Sequence, residues 1–181
     1  RLAENFGASA LNALVKKGSV SVSEEKFFRS PYKELGGENR KVNLTEKQLA
    51  AVETVENGAK TTTLLFGVTG SGKTEVYLEL ISRAIRRGKT AIMLVPEISL
   101  TPQMLGQLRA RFGKAAAIMH SGLSAGERFD EWWRLRTGEA VIAIGARSAI
   151  FAPLENIGII VIDEEHDGSY TSESAPRYTT A

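Results

Sequence analysis

Gly67-Val68-Thr69-Gly70-Ser71-Gly72-Lys73-Thr74 is the stretch on which the reading of this chain turns. It fits the pattern G-x-x-x-x-G-K-[ST] residue for residue. Ahead of it, Thr61-Thr62-Thr63-Leu64-Leu65-Phe66 is β-branched and apolar, which predicts a buried strand over 61–66. Behind it, Val76, Tyr77, Leu80, Ile81, Ala84 and Ile85 recur at the spacing of a helix with one apolar stripe. Strand, glycine-rich turn and helix in that order form the setting in which the pattern marks a phosphate-binding loop rather than a turn with an incidental lysine. Glycines let backbone N–H groups close around phosphate oxygens at a helix N-terminus. Lys73 then supplies a point charge for the β- and γ-phosphates of ATP, and the Thr74 hydroxyl is a ligand for Mg²⁺.

The rest of the chain fits an α/β nucleotide-binding domain. The 181 residues suggest one full domain and part of another, and a hydrophobic content of 43% is enough for a core. No long apolar run suggests a membrane span, and no pattern suggests a signal peptide. With no cysteine and two histidines, disulfides, thiolate metal sites and cysteine nucleophiles are excluded and a zinc site is disfavoured. A formal charge of +2 permits nucleic-acid binding without arguing for it. A cytoplasmic, monomeric protein is the expectation. The ends, Arg1 and Thr180-Ala181, suggest a piece cut from a longer polypeptide.

From Leu44 the pattern alternates. Helices are predicted over 45–57, 73–87, 102–112 and 125–136, and strands over 61–66, 90–95, 115–119, 140–144 and 157–162. Uniformly apolar strands separated by helices predict a parallel sheet covered on both faces, of the RecA kind. Residues 1–37 differ. Leu11, Leu14 and Val15 predict a short helix ended by Lys16-Lys17-Gly18, Val20 and Val22 a strand, and Lys26 to Arg29 its hairpin partner. This reads equally as the C-terminal part of a winged-helix module or as an amphipathic helix and hairpin packed on the next domain. Tyr32 to Lys41 reads as a linker, and the main domain is expected over 38–181.

Chemistry gathers at a second place, Asp163-Glu164-Glu165-His166, directly after the apolar run Ile159 to Ile162. A strand that delivers carboxylates at its C-terminal end faces the crevice where α/β sheets bind ligands. Asp163 is placed to hold Mg²⁺ through its water shell, Glu164 to polarise an attacking water, and His166 to report on the γ-phosphate. Thr45 and Gln48 allow two uses that compete for one side chain, a capping box or contact of the Gln48 amide with adenine. Two further loops follow predicted strand ends. Ser99, Thr101 and Gln103 lie in one, Arg147 and Ser148 in the other; such groups suit a nucleic-acid backbone, though each loop is also readable as an ordinary helix cap. Arg83, Arg86, Arg87 and Lys89 read as a solvated helix end. Adjacent Trp132 and Trp133 cannot share one helix face, so one is expected in the core.

These motifs resemble those of superfamily 2 helicases. Gly67–Thr74, Leu94 to Thr101, Gly145-Ala146-Arg147-Ser148 and Asp163–His166 are similar to motifs I, Ia, Ib and II, and the last resembles the DEAH-like group. His120 to Ser124, Glu127-Arg128 with Trp132, Gly145 to Ala152, and Asp163 to Tyr170 with Pro176-Arg177-Tyr178 resemble, more narrowly, the PriA family of replication-restart helicases. The resemblance implies a motor dependent on ATP and Mg²⁺, moving 3′ to 5′ on DNA and acting at stalled bacterial forks with PriB, DnaT and single-stranded DNA-binding protein. It implies DNA contacts for the two loops and for Lys16 and Lys17, and an aromatic-rich loop over Asp167 to Tyr178. There the chain departs from the family, reading Thr171-Ser172-Glu173 where Lys-Gln-Glu is usual. Motif III, the family's zinc-binding cysteines and the second motor lobe are expected outside this chain. Without an arginine finger, phosphoryl transfer typically slows by about 10³–10⁵. Little turnover is therefore expected from the chain alone. Two other classes are alternatives: a DNA-binding or protein-docking module whose nucleotide site is vestigial, and a phosphate-loop kinase acting on a small molecule, against which Asp163-Glu164 followed by His166 argues.

Overall fold

The computed structural model describes residues 7–21, 43–59, 61–68, 70–172 and 177–180. Its centre is a sheet of four parallel strands, β1 (Thr90–Leu94), β2 (Ala116–Met119), β3 (Ile142–Gly145) and β4 (Ile157–Ile162), in the order β2-β3-β1-β4. Leu94 pairs with Gly145 on one side and Ile162 on the other, and Met119 pairs with Gly145. All four strands therefore end at one edge. The loops after β1, β3 and β4 leave from that edge, so Ser99, Arg147 and Asp163 follow strand ends on the same side of the molecule.

Helices cover both faces, as strands apolar on both sides require. On one face α3 (Lys73–Arg86) and α4 (Pro102–Phe112) bury Leu78, Ile81 and Leu108 against Ala91, Met93, Ile142 and Ile144. On the other, α5 (Ala125–Arg136) sets Leu135 against Ile92, Leu94, Ala117 and Ala143, beside Tyr170. A further helix, α2 (Glu46–Asn57), packs Val52 against Val76 and Leu80 of α3. Full burial of one such aliphatic side chain contributes about 1.5–3 kcal/mol.

Local chemistry sets the helix ends. Thr45 caps α2 in a capping box with Gln48, Thr101 caps α4 with Pro102 behind it, and Ser124 caps α5 in a second box with Glu127. The helix α1 (Ala8–Lys16) forms where Leu11, Leu14 and Val15 predict it, with Lys16 and Lys17 exposed at its end. The hairpin from Val22 onward and the linker over 32–41 lie outside the described residues.

One predicted element is absent. Among the described residues, 61–66 are not a strand and 61–68 join no ladder. Leu65 packs into the core beside Ile159, whereas Leu64 is 73% and Phe66 93% exposed. β-branched composition favours extended backbone, but a strand is held by partners on its faces and edges. Here only alternate side chains find cover, and the outer part of β4 is itself open, with Ile160 exposed.

Edge strand β2 is closed by side chains. Glu131 and Arg134 on α5 are buried. The Ile118 N–H donates to Glu131 Oε2 at 3.2 Å, and Arg134 Nη1 donates to the same oxygen at 2.7 Å. Arg134 Nη2 reaches the carbonyls of Lys114 and Ala116. A carboxylate and a guanidinium thus take hydrogen bonds that a fifth strand would otherwise make.

Candidate nucleotide site

The phosphate loop and the end of β4 converge. Gly72 is the N-cap of α3 with φ 81°, so the loop enters its helix through a left-handed residue. A Cβ at Gly72 would collide with the Gln48 amide nitrogen. Ser71 N–H donates to Val68 O at 3.1 Å, which closes the turn. Lys73 donates to Gly67 O at 2.7 Å and lies 3.9 Å from Glu164 Oε1. The ammonium is therefore already inside the cradle, beside the carboxylates after β4.

Asp163 continues the β4 ladder, its N–H donating to Leu94 O at 2.9 Å. Its carboxyl is pushed above the usual aspartate range by burial first and then by the Glu164 charge, while Lys73 and the Tyr77 hydroxyl work against the shift. Two tyrosines hold it. The Tyr170 hydroxyl donates to Asp163 O at 2.6 Å, and burial followed by the Asp163 charge pushes the Tyr77 phenol up to about 12. Glu164 adopts φ 48°, a left-handed conformation uncommon for a residue with a side chain. That turn directs Glu164 toward Lys73 while Asp163 stays with the sheet. His166 is largely exposed, 3.7 Å from Glu164 and 3.3 Å from Glu165.

The donors available are hard oxygens and a neighbouring ammonium, and they fit a triphosphate with Mg²⁺. Thr74 offers a hydroxyl and Asp163 a half-buried carboxylate next to a second one. Oxygen donors with water-filled positions suit Mg²⁺, and no larger cluster of His, Asp or Glu exists among the described residues.

Gln48 forms the predicted capping box and also reaches the phosphate loop. Its Oε1 accepts from the Thr45 N–H at 2.9 Å, completing the capping box, and its Nε2 donates to Gly72 O at 3.2 Å. The amide is thus spent on the cap and on the phosphate loop. Of the two outer loops, Thr101 accepts from Met104 N–H as a helix cap, with Gln103 exposed and Ser99 half-buried. Arg147 donates to Thr171 O at 2.8 Å, and Ser148 is exposed. Thr69 lies outside the described residues. Lys16 and Lys17 are exposed at the C-terminal end of α1.

Several neighbours of the site carry no motif. Tyr77 reads as part of an apolar helix stripe and Tyr170 as part of the aromatic-rich loop, and only the fold shows that they bracket Asp163. Arg83, Arg86 and Arg87 are not a free solvated group, because Glu79 and Glu56 pair with them at 2.5–3.1 Å. Trp132 is at the surface and Trp133 half-buried against Phe129, so neither is a full core residue.

Residues 45–179 match the model of the DEAD/DEAH box helicase family. The chain is 48% identical over 176 residues to the replication restart protein PriA of Bacillus subtilis, covering 94% of this chain and 22% of that protein. It is 44% identical over 173 residues to the PriA of Synechocystis, covering 94% and 21%. For the PriA of Treponema pallidum the identity is 48% over 137 residues, covering 75% and 21%. This chain thus spans about a fifth of the length of these relatives. No helix among the described residues is long and apolar enough to cross a membrane. Its parallel sheet, its phosphate loop and the family match agree: the chain belongs to the DEAD/DEAH box helicase family.

Proposed function

We propose that this chain is the ATP-binding motor lobe of a replication-restart DNA helicase of the PriA kind. The observation that carries the reading is the meeting of Lys73 and Glu164 at 3.9 Å, with Asp163 beside them. A phosphate-binding ammonium and two carboxylates at one mouth suit ATP hydrolysis with Mg²⁺. In this reading Gly67, Val68, Thr69, Gly70, Ser71, Gly72, Lys73 and Thr74 bind the phosphates, and Thr74 and Asp163 hold the metal. Glu164 polarises the attacking water and His166 relays the state of the γ-phosphate. Gln48 acts on nucleotide through its bond to Gly72.

The whole protein would move 3′ to 5′ on forked or single-stranded DNA. Ser99, Thr101, Gln103, Arg147 and Ser148 would contact the backbone, a role supported by their position after strands that end at one edge. Lys16 and Lys17 would act from a separate winged-helix-like unit over residues 1–37, with the motor lobe over 38–181. PriB, DnaT and single-stranded DNA-binding protein are the partners this reading implies, and zinc sites would lie in other parts of the polypeptide.

The test is ATP hydrolysis by the full-length protein with and without forked DNA, and the same for Lys73→Ala. The reading expects stimulation by DNA and loss of hydrolysis in the variant. Hydrolysis that DNA does not stimulate, or that survives Lys73→Ala, would overturn it.

A further inference from the structure

The ion pairs that cover α3 include one that reaches its first turn from another element. Arg111 sits in the last turn of α4, whose first residues, Thr101 and Pro102, close the loop that follows β1. Its Nη1 donates to Glu75 Oε2 at 3.1 Å, its Nη2 to Glu79 Oε2 at 2.9 Å, and its Nε approaches Ser82 Oγ at 3.5 Å. Glu75 directly follows Thr74 in the first turn of α3. The three side chains are 17–25% exposed, so water screens the contact less than it would a surface pair.

The geometry has a mechanical meaning. From Pro102 to Arg111 a helix runs roughly 14 Å, so α4 is a short rod with the 96–101 loop at one end and Arg111 near the other. Its side chain is a planar fork that holds two carboxylates at once, which resists rotation in a way that a single ammonium would not. Glu79 is also held by Arg83 and Arg86 at 2.9 and 3.1 Å. Among the described residues the cationic partner of Glu75 is Arg111. A shift of α4 is therefore felt at the residue next to Thr74, whereas the rest of the network keeps α3 tied to α2 through Glu56 and Arg83 at 2.5 Å.

We propose that Arg111 is a positioning residue that couples the loop after β1 to the first turn of the phosphate-binding helix, so that nucleic acid held by that loop adjusts Lys73 and Thr74. This rests on the ATP-dependent motor reading given above. Arg111 touches no nucleotide in this account and acts through Glu75.

The experiment is steady-state ATP hydrolysis by the full-length protein, with and without single-stranded DNA, for wild type, Arg111→Met, Arg111→Lys, Glu75→Gln and the Arg111→Met/Glu75→Gln pair. Residues along a coupling route typically change the coupled step about 2- to 30-fold. The expected result is a fall of that size in DNA-stimulated kcat for Arg111→Met, a smaller fall for Arg111→Lys, and KM for ATP within about threefold. Because the Arg111–Glu75 contact is already lost in Arg111→Met, adding Glu75→Gln should lower the rate no further than Arg111→Met alone. Equal stimulation in wild type and both Arg111 variants would overturn the inference, and so would additive losses in the pair. Should Arg111→Met fail to fold, Arg111→Lys and Glu75→Gln decide by the same criteria. Absence of DNA stimulation in wild type would instead mean that the motor reading had failed.

Discussion

Replacing Arg134 by methionine tests how the open side of the sheet is closed. The substitution keeps the length and apolar stem of the side chain and removes the guanidinium. Glu131, 1% exposed, would then keep only the Ile118 N–H as a described partner, and the carbonyls of Lys114 and Ala116 would lose their donor. Stranding one member of a buried ion pair costs about 3–5 kcal/mol. At roughly 2–4 °C per kcal/mol for a chain of this size, thermal unfolding should come about 6–20 °C earlier. Substituting both residues, Glu131→Leu with Arg134→Met, removes the two buried charges together and leaves only backbone groups to satisfy. Replacing a whole buried pair is often neutral or stabilising by 1–4 kcal/mol, and each orphaned backbone group costs about 1–3 kcal/mol. The double variant should therefore be more stable than Arg134→Met alone. Thermal and urea unfolding followed by circular dichroism measure both, and hydrogen exchange at Ile118 reports the edge directly. A loss under about 1 kcal/mol for Arg134→Met, or a double variant less stable than the single, would refute the account of the edge.

Three further outcomes follow from the site and its surroundings. Asp163→Asn should raise the melting temperature of the ligand-free protein, because burial and Glu164 oppose ionisation of Asp163, while abolishing Mg²⁺-dependent nucleotide binding by calorimetry. A lower melting temperature would contradict the first half. Acid should weaken the ion pairs that tie α3 to α2 and to α4. Hydrogen bonding to Arg83 lowers the Glu56 pKa, and hydrogen bonds from Arg83 and Arg86 lower that of Glu79 despite its burial. With folded-state values below the ordinary 4.5, this stabilisation is full above that pH and disappears as pH falls through the depressed values. Arg83→Met should flatten the pH dependence of unfolding in that window, and an unchanged profile would count against it. Gln48→Ala should weaken ATP and GTP binding by a similar factor, since its amide is engaged by Thr45 and Gly72; a loss confined to ATP would return adenine contact to Gln48.

Much of the molecule is legible from local chemistry. The helices over 102–112 and 125–136 have the predicted bounds because Thr101-Pro102 and Ser124 with Glu127 are strong start signals. The strand over 157–162 also has its predicted bounds, as an unbroken apolar run should. The glycine-rich loop and Asp163-Glu164 stand out in the sequence because the chemistry they suit demands fixed residue types at fixed spacing, and the structure brings them together at Lys73 and Glu164. What stays hidden depends on partners distant in the chain. Glu131 has no sequence signal of its own, and only packing of α5 on β2 makes it an acceptor for Ile118. Arg111 gives no signal, because its meaning lies in Glu75, 36 residues away. The segment 61–66 fails in the opposite direction, with local composition favouring a strand that the described neighbours do not hold.

The missing ladder at 61–66 changes what it takes to fill the phosphate loop. Its downstream side is seated firmly by α3 and Gln48, but its upstream side arrives from backbone with no hydrogen-bonded neighbour strand among the described residues. When only a fraction of molecules holds the binding geometry, apparent affinity falls by that fraction. Whatever docks along this stretch and locks it as a strand would therefore sharpen nucleotide binding. By thermodynamic reciprocity, bound nucleotide would strengthen that docking by the same factor.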